Sequence, residues 1–210
     1  MSDIGIKKTN HLYWMGRYAE RAVTLLDILC TWCGNMSDDD SPAVYREFCM
    51  NLGIPDRFSG NRDFITGYLA DNESPFSLMG ALEGAEHNLS MLRGEVPVRP
   101  LQNCVQAAME NLDTCVRSGS DINELPGVKD SLVSFWDSMN VVITDENCRG
   151  IVIAGRFTER VDLYTRFQYP NDIQRRTMNI LLQYVGLLPE TLRSTAVVRA
   201  LEQQGNLSPD

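Results

Sequence analysis

Apolar side chains return every three or four residues along most of this chain, and no β-branched stretch alternates strictly between apolar and polar positions. That period belongs to the α-helix, so an all-α protein is expected. The first long segment carries Trp14, Met15, Tyr18, Ala22, Leu25, Leu26, Leu29 and Cys33 on one face, and Tyr13, Arg17, Glu20, Thr24 and Asp27 on another. Thr9 or Asn10 is the expected cap of this helix, and Gly34 its end. Asp38, Asp39, Asp40 and Ser41 read as a solvated start signal for a second helix that opens at Pro42 and stops at Gly53. Further helices are expected over 62–70, from Ser74 and Pro75 to Gly94, from Pro97 and Pro100 to Gly119, over 126–142, from Thr144 to Phe167, over 171–185 and over 189–204. With short linkers throughout, the pattern predicts one helical bundle of about seven to nine helices over residues 1–210, with 205–210 as a frayed tail.

A six-residue pattern occurs twice in this helical frame. Gly16-Arg17-Tyr18-Ala19-Glu20-Arg21 recurs as Gly155-Arg156-Phe157-Thr158-Glu159-Arg160, with Gly, Arg, an aromatic, Glu and Arg in register. On a helix the Arg, Glu and second Arg project from neighbouring points of one face. Around the first copy that stripe reads as solvated when taken alone. Around the second, Val152 and Leu163 bracket Arg156 and Glu159, while Ile151, Ile153, Phe157, Val161 and Tyr164 make the rest apolar. A helix apolar nearly all round is expected at the centre of a bundle, where buried charges need partners. The simplest satisfied arrangement pairs Arg17 with Glu159 and Arg156 with Glu20 across a pseudo-twofold axis, with Gly16 and Gly155 allowing close backbone approach. Arg21 and Arg160 then either close this network or stay free to hold a carboxylate or phosphate.

Charge sharpens the second alternative. The net charge is −9, which argues against a nucleic-acid partner, yet residues 149–199 carry eight arginines and only four acids. Arginine outnumbers lysine 16 to 3 over the whole chain, as suits ion pairing in desolvated places. No apolar run reaches the roughly 20 residues of a membrane span, and Met1 to Gly5 do not open a secretory leader, so no membrane partner and a cytoplasmic address are expected.

The remaining chemistry is sparse. Six cysteines, five of them in apolar helical stretches, read as small core residues. Cys30 and Cys33 form a CxxC near the C-terminal end of a helix, where the dipole opposes a thiolate, and only His11 and His87 are available as histidine ligands. No metal site and no cofactor of this chain's own are therefore expected. His87, beside Glu86, is a candidate general base or a plain exposed histidine. Arg175 and Arg176 open a helix with a later apolar face, and offer either a dock for an acidic partner or a solvated surface.

At the two hexapeptides the chain resembles the Alpha-E family, a helical domain named for its Glu-Arg motif. The segment from Asn10 to Ala22 looks like the family's opening helix, and Arg149 through Asp162 resembles its second Glu-Arg helix. Asp71 to Leu78, followed by Ala85 to Asn88 and Arg93, is similar to the middle motif. The chain departs from that pattern at Ala19 and Thr158, where leucine is usual, and at Leu89, where an arginine is usual. The resemblance implies a helical partner of an ATP-grasp-type amide ligase of circularly permuted topology, in ATP-dependent peptide modification or synthesis. ATP and Mg²⁺ would then belong to the ligase, and this chain would dock it or present its peptide substrate. Two other classes stay open: an enzyme whose Arg17, Glu20, Arg156 and Glu159 handle a carboxylate substrate, and a purely structural or oligomerising bundle.

Overall fold

The structure is a computed structural model that describes residues 5–36 and 44–188. Among these residues the chain forms eight α-helices, one 3₁₀ turn and no strand, as the apolar period predicts. They are α1 (Ile6–Met36), α2 (Val44–Leu52), α3 (Asn61–Ala70), α4 (Leu78–Met91), α5 (Arg99–Arg117), α6 (Pro126–Val142), α7 (Glu146–Arg166) and α8 (Asn171–Leu187). The aspartate run 38–40, the helix expected over 189–204 and the tail 205–210 lie outside the described residues.

Several boundaries differ from the sequence reading for local reasons. The first helix begins at Ile6, not at Thr9 or Asn10, and Thr9 Oγ1 donates back to the carbonyl of Gly5 at 3.3 Å. Ser74 and Pro75 do not open α4. They belong to a turn in which Asp71 Oδ1 accepts from the backbone N–H groups of Glu73 and Ser74, at 2.8 and 3.1 Å, and the helix is capped by Ser77. Asp145, not Thr144, caps α7, accepting from the Cys148 backbone N–H at 2.8 Å.

The bundle is built around α1. This helix packs against α7 on one side and α4 on the other, and also meets α6 and α2; α5 closes the ring between α4 and α6, and α8 lies on α7. The sequence reading placed the second hexapeptide's helix at the centre. The structure reverses this, because α7 packs chiefly on α1 and α8 and leaves Ile153, Phe157, Val161 and Tyr164 only partly covered. The stripe of α1 that reads as solvated when taken alone is mostly interior, with Tyr13, Arg17, Glu20 and Thr24 buried and Asp27 exposed.

α1 and α7 run parallel. Lys8 and Asp145 attract one another at the two N-terminal ends, and Trp32 meets the Phe167 ring edge-on at the two C-terminal ends. There α2 and α3 add Tyr45, Phe48, Phe64 and Tyr68, a mutually contacting aromatic cluster that covers the far end of α1. A Cβ at Gly16 would sit 2.2 Å from the Val152 carbonyl oxygen, and one at Gly155 would sit 2.2 Å from that of Tyr13. The two glycines therefore let the helices touch backbone to backbone. The two contacts are related by the same 139-residue offset as the hexapeptides themselves, so the close approach is pseudo-twofold symmetric.

Candidate functional site

Close packing at the glycines sets the distance between the charged side chains one turn further along. Arg17 Nε donates to Glu159 Oε2 at 2.6 Å, and Arg21 Nε to Glu159 Oε1 at 2.5 Å. In the mirror half, Arg156 Nε donates to Glu20 Oε2 at 2.8 Å and Arg160 Nε to Glu20 Oε1 at 2.6 Å. Each carboxylate thus receives two arginines from the opposite helix, one on each oxygen. All six residues named from the hexapeptides meet in one network, and Arg21 and Arg160 close it.

The halves are alike in bonding but unlike in environment. Glu20 and Glu159 are both fully buried. The side chains of Arg17 and Arg21 are 4% and 5% exposed, whereas those of Arg156 and Arg160 are 27% and 24% exposed. Arg21 is held further by the Pro75 carbonyl, which accepts from Nη1 at 3.0 Å, and by the rings of Phe76 and Tyr18, 4.5 and 5.0 Å from Cζ. Arg17 lies over Trp14 at 4.9 Å, with Asp162 3.8 Å away. Arg156 lies over Trp136 at 4.1 Å. Phe76 and Trp136 gave no signal in the sequence, since their role depends on loops and helices far away along the chain.

Burial works against ionisation of Glu159, but Arg21 and Arg17 outweigh it and hold the carboxyl below its usual 4.5. Burial likewise opposes the charge on Arg17, and Glu159 more than restores it. Since the folded pKa of Glu159 lies below the unfolded one, its contribution to stability is present above about 4.5 and is lost as pH falls toward the folded value. The melting temperature should therefore decline as pH is lowered below that point. A melting temperature that stays flat through the same range would contradict the network's charged state.

The other candidate residues lie elsewhere. His87 is exposed on α4 and lines a cleft with Trp14 and Tyr18. Arg93 is exposed beyond the end of α4, 3.6 Å from Glu86 and donating to Gln102 at 3.3 Å. Arg175 and Arg176 are exposed on α8, with Arg176 paired to Asp172 one turn before it. Leu89, where the resemblance led one to expect arginine, is fully buried in the core.

The cysteines are mostly interior, with Cys33, Cys49, Cys115 and Cys148 buried and Cys104 half-buried; Cys30 is exposed. Burial pushes the Cys33 thiol up to about 11, as it raises that of Cys30. Among the described residues no group of three or more His, Cys, Asp or Glu is placed to hold a metal, and no helix is long and apolar enough to cross a membrane.

A helical bundle whose two charged motifs pair with each other across a glycine contact defines the class of protein. The family model of Alpha-E, a predicted alpha-helical domain with a conserved ER motif, matches residues 7–202. The chain belongs to that family, and each half of the network takes its carboxylate from one Glu-Arg motif and its two arginines from the other. No curated protein and no solved structure matches the chain.

Proposed function

We propose that this chain is an accessory protein of a circularly permuted ATP-grasp-type amide ligase, acting in ATP-dependent peptide modification or synthesis. It docks the ligase or presents the peptide, and the ligase binds ATP and Mg²⁺. The family resemblance supplies the context. The observation that carries the reading is the surplus positive charge at the open half of the network. Four guanidinium groups share two glutamates, and Arg156 and Arg160 each keep about a quarter of their side chains accessible. Their remaining N–H groups suit a carboxylate from outside, as planar guanidinium forks do. The Trp136 ring under Arg156, 4.1 Å from its Cζ, supports that guanidinium at the open half.

The open half is tested by neutralising it as a unit, with Glu20→Gln, Arg156→Gln and Arg160→Gln combined. This avoids leaving a buried charge without a partner. The wild-type chain, co-expressed with a circularly permuted ATP-grasp protein from the same genome, should co-purify with that protein and allow an ATP-dependent mass change on a peptide. The triple variant should fold by circular dichroism, yet lose co-purification and the mass change together. Amide formation by the purified chain alone would overturn the partner reading, and full activity of a folded triple variant would overturn the role of the open arginines.

A further inference from the structure

On the side of α1 away from α7, a cleft of about 510 Å³ opens between α1, α4 and the 71–77 turn. It adjoins the enclosed half of the Glu-Arg network, whose Arg17 lies over the Trp14 ring at 4.9 Å and Arg21 over the Tyr18 ring at 5.0 Å. Its aromatic wall is Trp14 and Tyr18, one turn apart on α1, with ring centroids 5.8 Å apart. Gly84 is what admits Tyr18, because a Cβ there would sit 2.6 Å from the Tyr18 ring. Glu73, from the turn, and Glu83, from α4, also line the cleft; both are exposed, and neither forms an ion pair among the described residues. His87 lies on the same helix face as Glu83, one turn on.

The walls are held in place before any ligand arrives. The 71–77 turn is tied by Asp71 to its own backbone, by the Tyr68 hydroxyl to the Phe76 carbonyl at 2.9 Å, and by Arg21 to the Pro75 carbonyl. Asn88, buried at the rear of the cleft, is already satisfied: its amide donates to the Gly84 carbonyl at 2.8 Å, and its oxygen lies 3.0 Å from His11 Nδ1. Preorganisation of this kind lowers the entropy lost on binding.

The buried Arg17 and Arg21 that lie over these rings are both bonded to Glu159, and Glu73 and Glu83 add two exposed carboxylates without ion-pair partners among the described residues, so the cleft favours a cation. Aromatic faces attract cations through their quadrupole, and exposed carboxylates add Coulomb attraction that salt screens. We infer that the cleft lined by Trp14, Tyr18, Glu73 and Glu83 binds an organic ammonium group. The group comes either from a small free amine or from a peptide, as a lysine side chain or N-terminus. This site goes beyond the reading of Arg156 and Arg160, which face an anion from the other side of α1, and it stands or falls independently of any ligase.

The experiment is a titration of the isotopically labelled full chain, followed by the Trp14 indole resonance assigned with Trp14→Phe. The probes are n-butylammonium chloride, its neutral counterpart n-butanol, and an end-blocked Gly-Lys-Gly peptide. The ammonium probe should give a saturable shift at Trp14, while n-butanol does not. The Glu73→Gln, Glu83→Gln double variant changes only exposed side chains, and should weaken the affinity about tenfold with the circular dichroism spectrum unchanged. Tighter binding of the peptide than of butylammonium assigns the site to a peptide, and equal binding assigns it to a small amine. Equal shifts with n-butanol, an unchanged affinity in the double variant, or no saturable shift at Trp14 would each overturn the inference.

Discussion

Glu159→Ala is expected to destabilise the protein by about 3–5 kcal/mol, the usual cost of stripping one partner from a buried ion pair. The side chains left behind, Arg17 and Arg21, are almost wholly enclosed, and they arrive on α1 with no second carboxylate within hydrogen-bonding distance. Set against a typical domain stability of about 5–15 kcal/mol, that loss leaves a marginal fold. Glu20→Ala should cost distinctly less, because Arg156 and Arg160 already reach water and can turn further into it. Replacing the enclosed half as a unit, with Arg17→Met, Arg21→Met and Glu159→Leu, should recover most of the stability, since charge is then neither buried nor orphaned. Urea denaturation followed by circular dichroism orders these variants. A Glu159→Ala chain within about 1 kcal/mol of wild type, or one more stable than Glu20→Ala, would show that the network is not enclosed in the way the geometry gives.

The second large effect comes from the smallest change. Alanine at Gly16 or Gly155 places a methyl carbon 2.2 Å from a backbone carbonyl oxygen of the facing helix. No rotamer relieves this contact, since both atoms belong to rigid helices. The helices must part, which lengthens four charged hydrogen bonds at once. The gain of about 1 kcal/mol in helix propensity is therefore outweighed. A net loss of about 3 kcal/mol is expected for either single variant, at the upper end of ordinary overpacking, and the double variant should not fold. Gly34→Ala is the control: nothing lies within 4 Å of a Cβ there, so it should be neutral or slightly stabilising. If Gly16→Ala melted with Gly34→Ala, the backbone contact between α1 and α7 would be wrong.

Much of this was legible from the residues. The helical frame followed from the apolar period, and the cross-pairing of Arg17 with Glu159 and Arg156 with Glu20 followed from two facts: a repeated charge pattern, and the apolar neighbours of the second copy. The same reasoning misjudged which copy is central. Burial on all sides depends on how many helices pack around an element, and neither Tyr13 nor Thr24 announces that α4 and α7 will enclose α1. The fate of Arg21 was likewise out of reach, because its extra partners, Pro75 and Phe76, belong to a turn with no periodic signature. The asymmetry between the halves has the same origin. The 71–77 turn covers Arg21, whereas Trp136 supports Arg156 from beneath and leaves it partly open.

The parallel seating of α1 on α7 also bears on how the chain is made. The bonds from Arg17 and Arg21 to Glu159 join positions 142 and 138 residues apart. Contacts so remote in sequence form late, since the intervening loop must first be brought to closure. A chain emerging from the ribosome therefore shows α1 well before α7, with two arginines lacking their carboxylate and a glycine surface lacking its mate. Until α7 has been synthesised, the helix that will become the centre of the bundle is its most exposed and least finished part, and that interval is where a chaperone would find it.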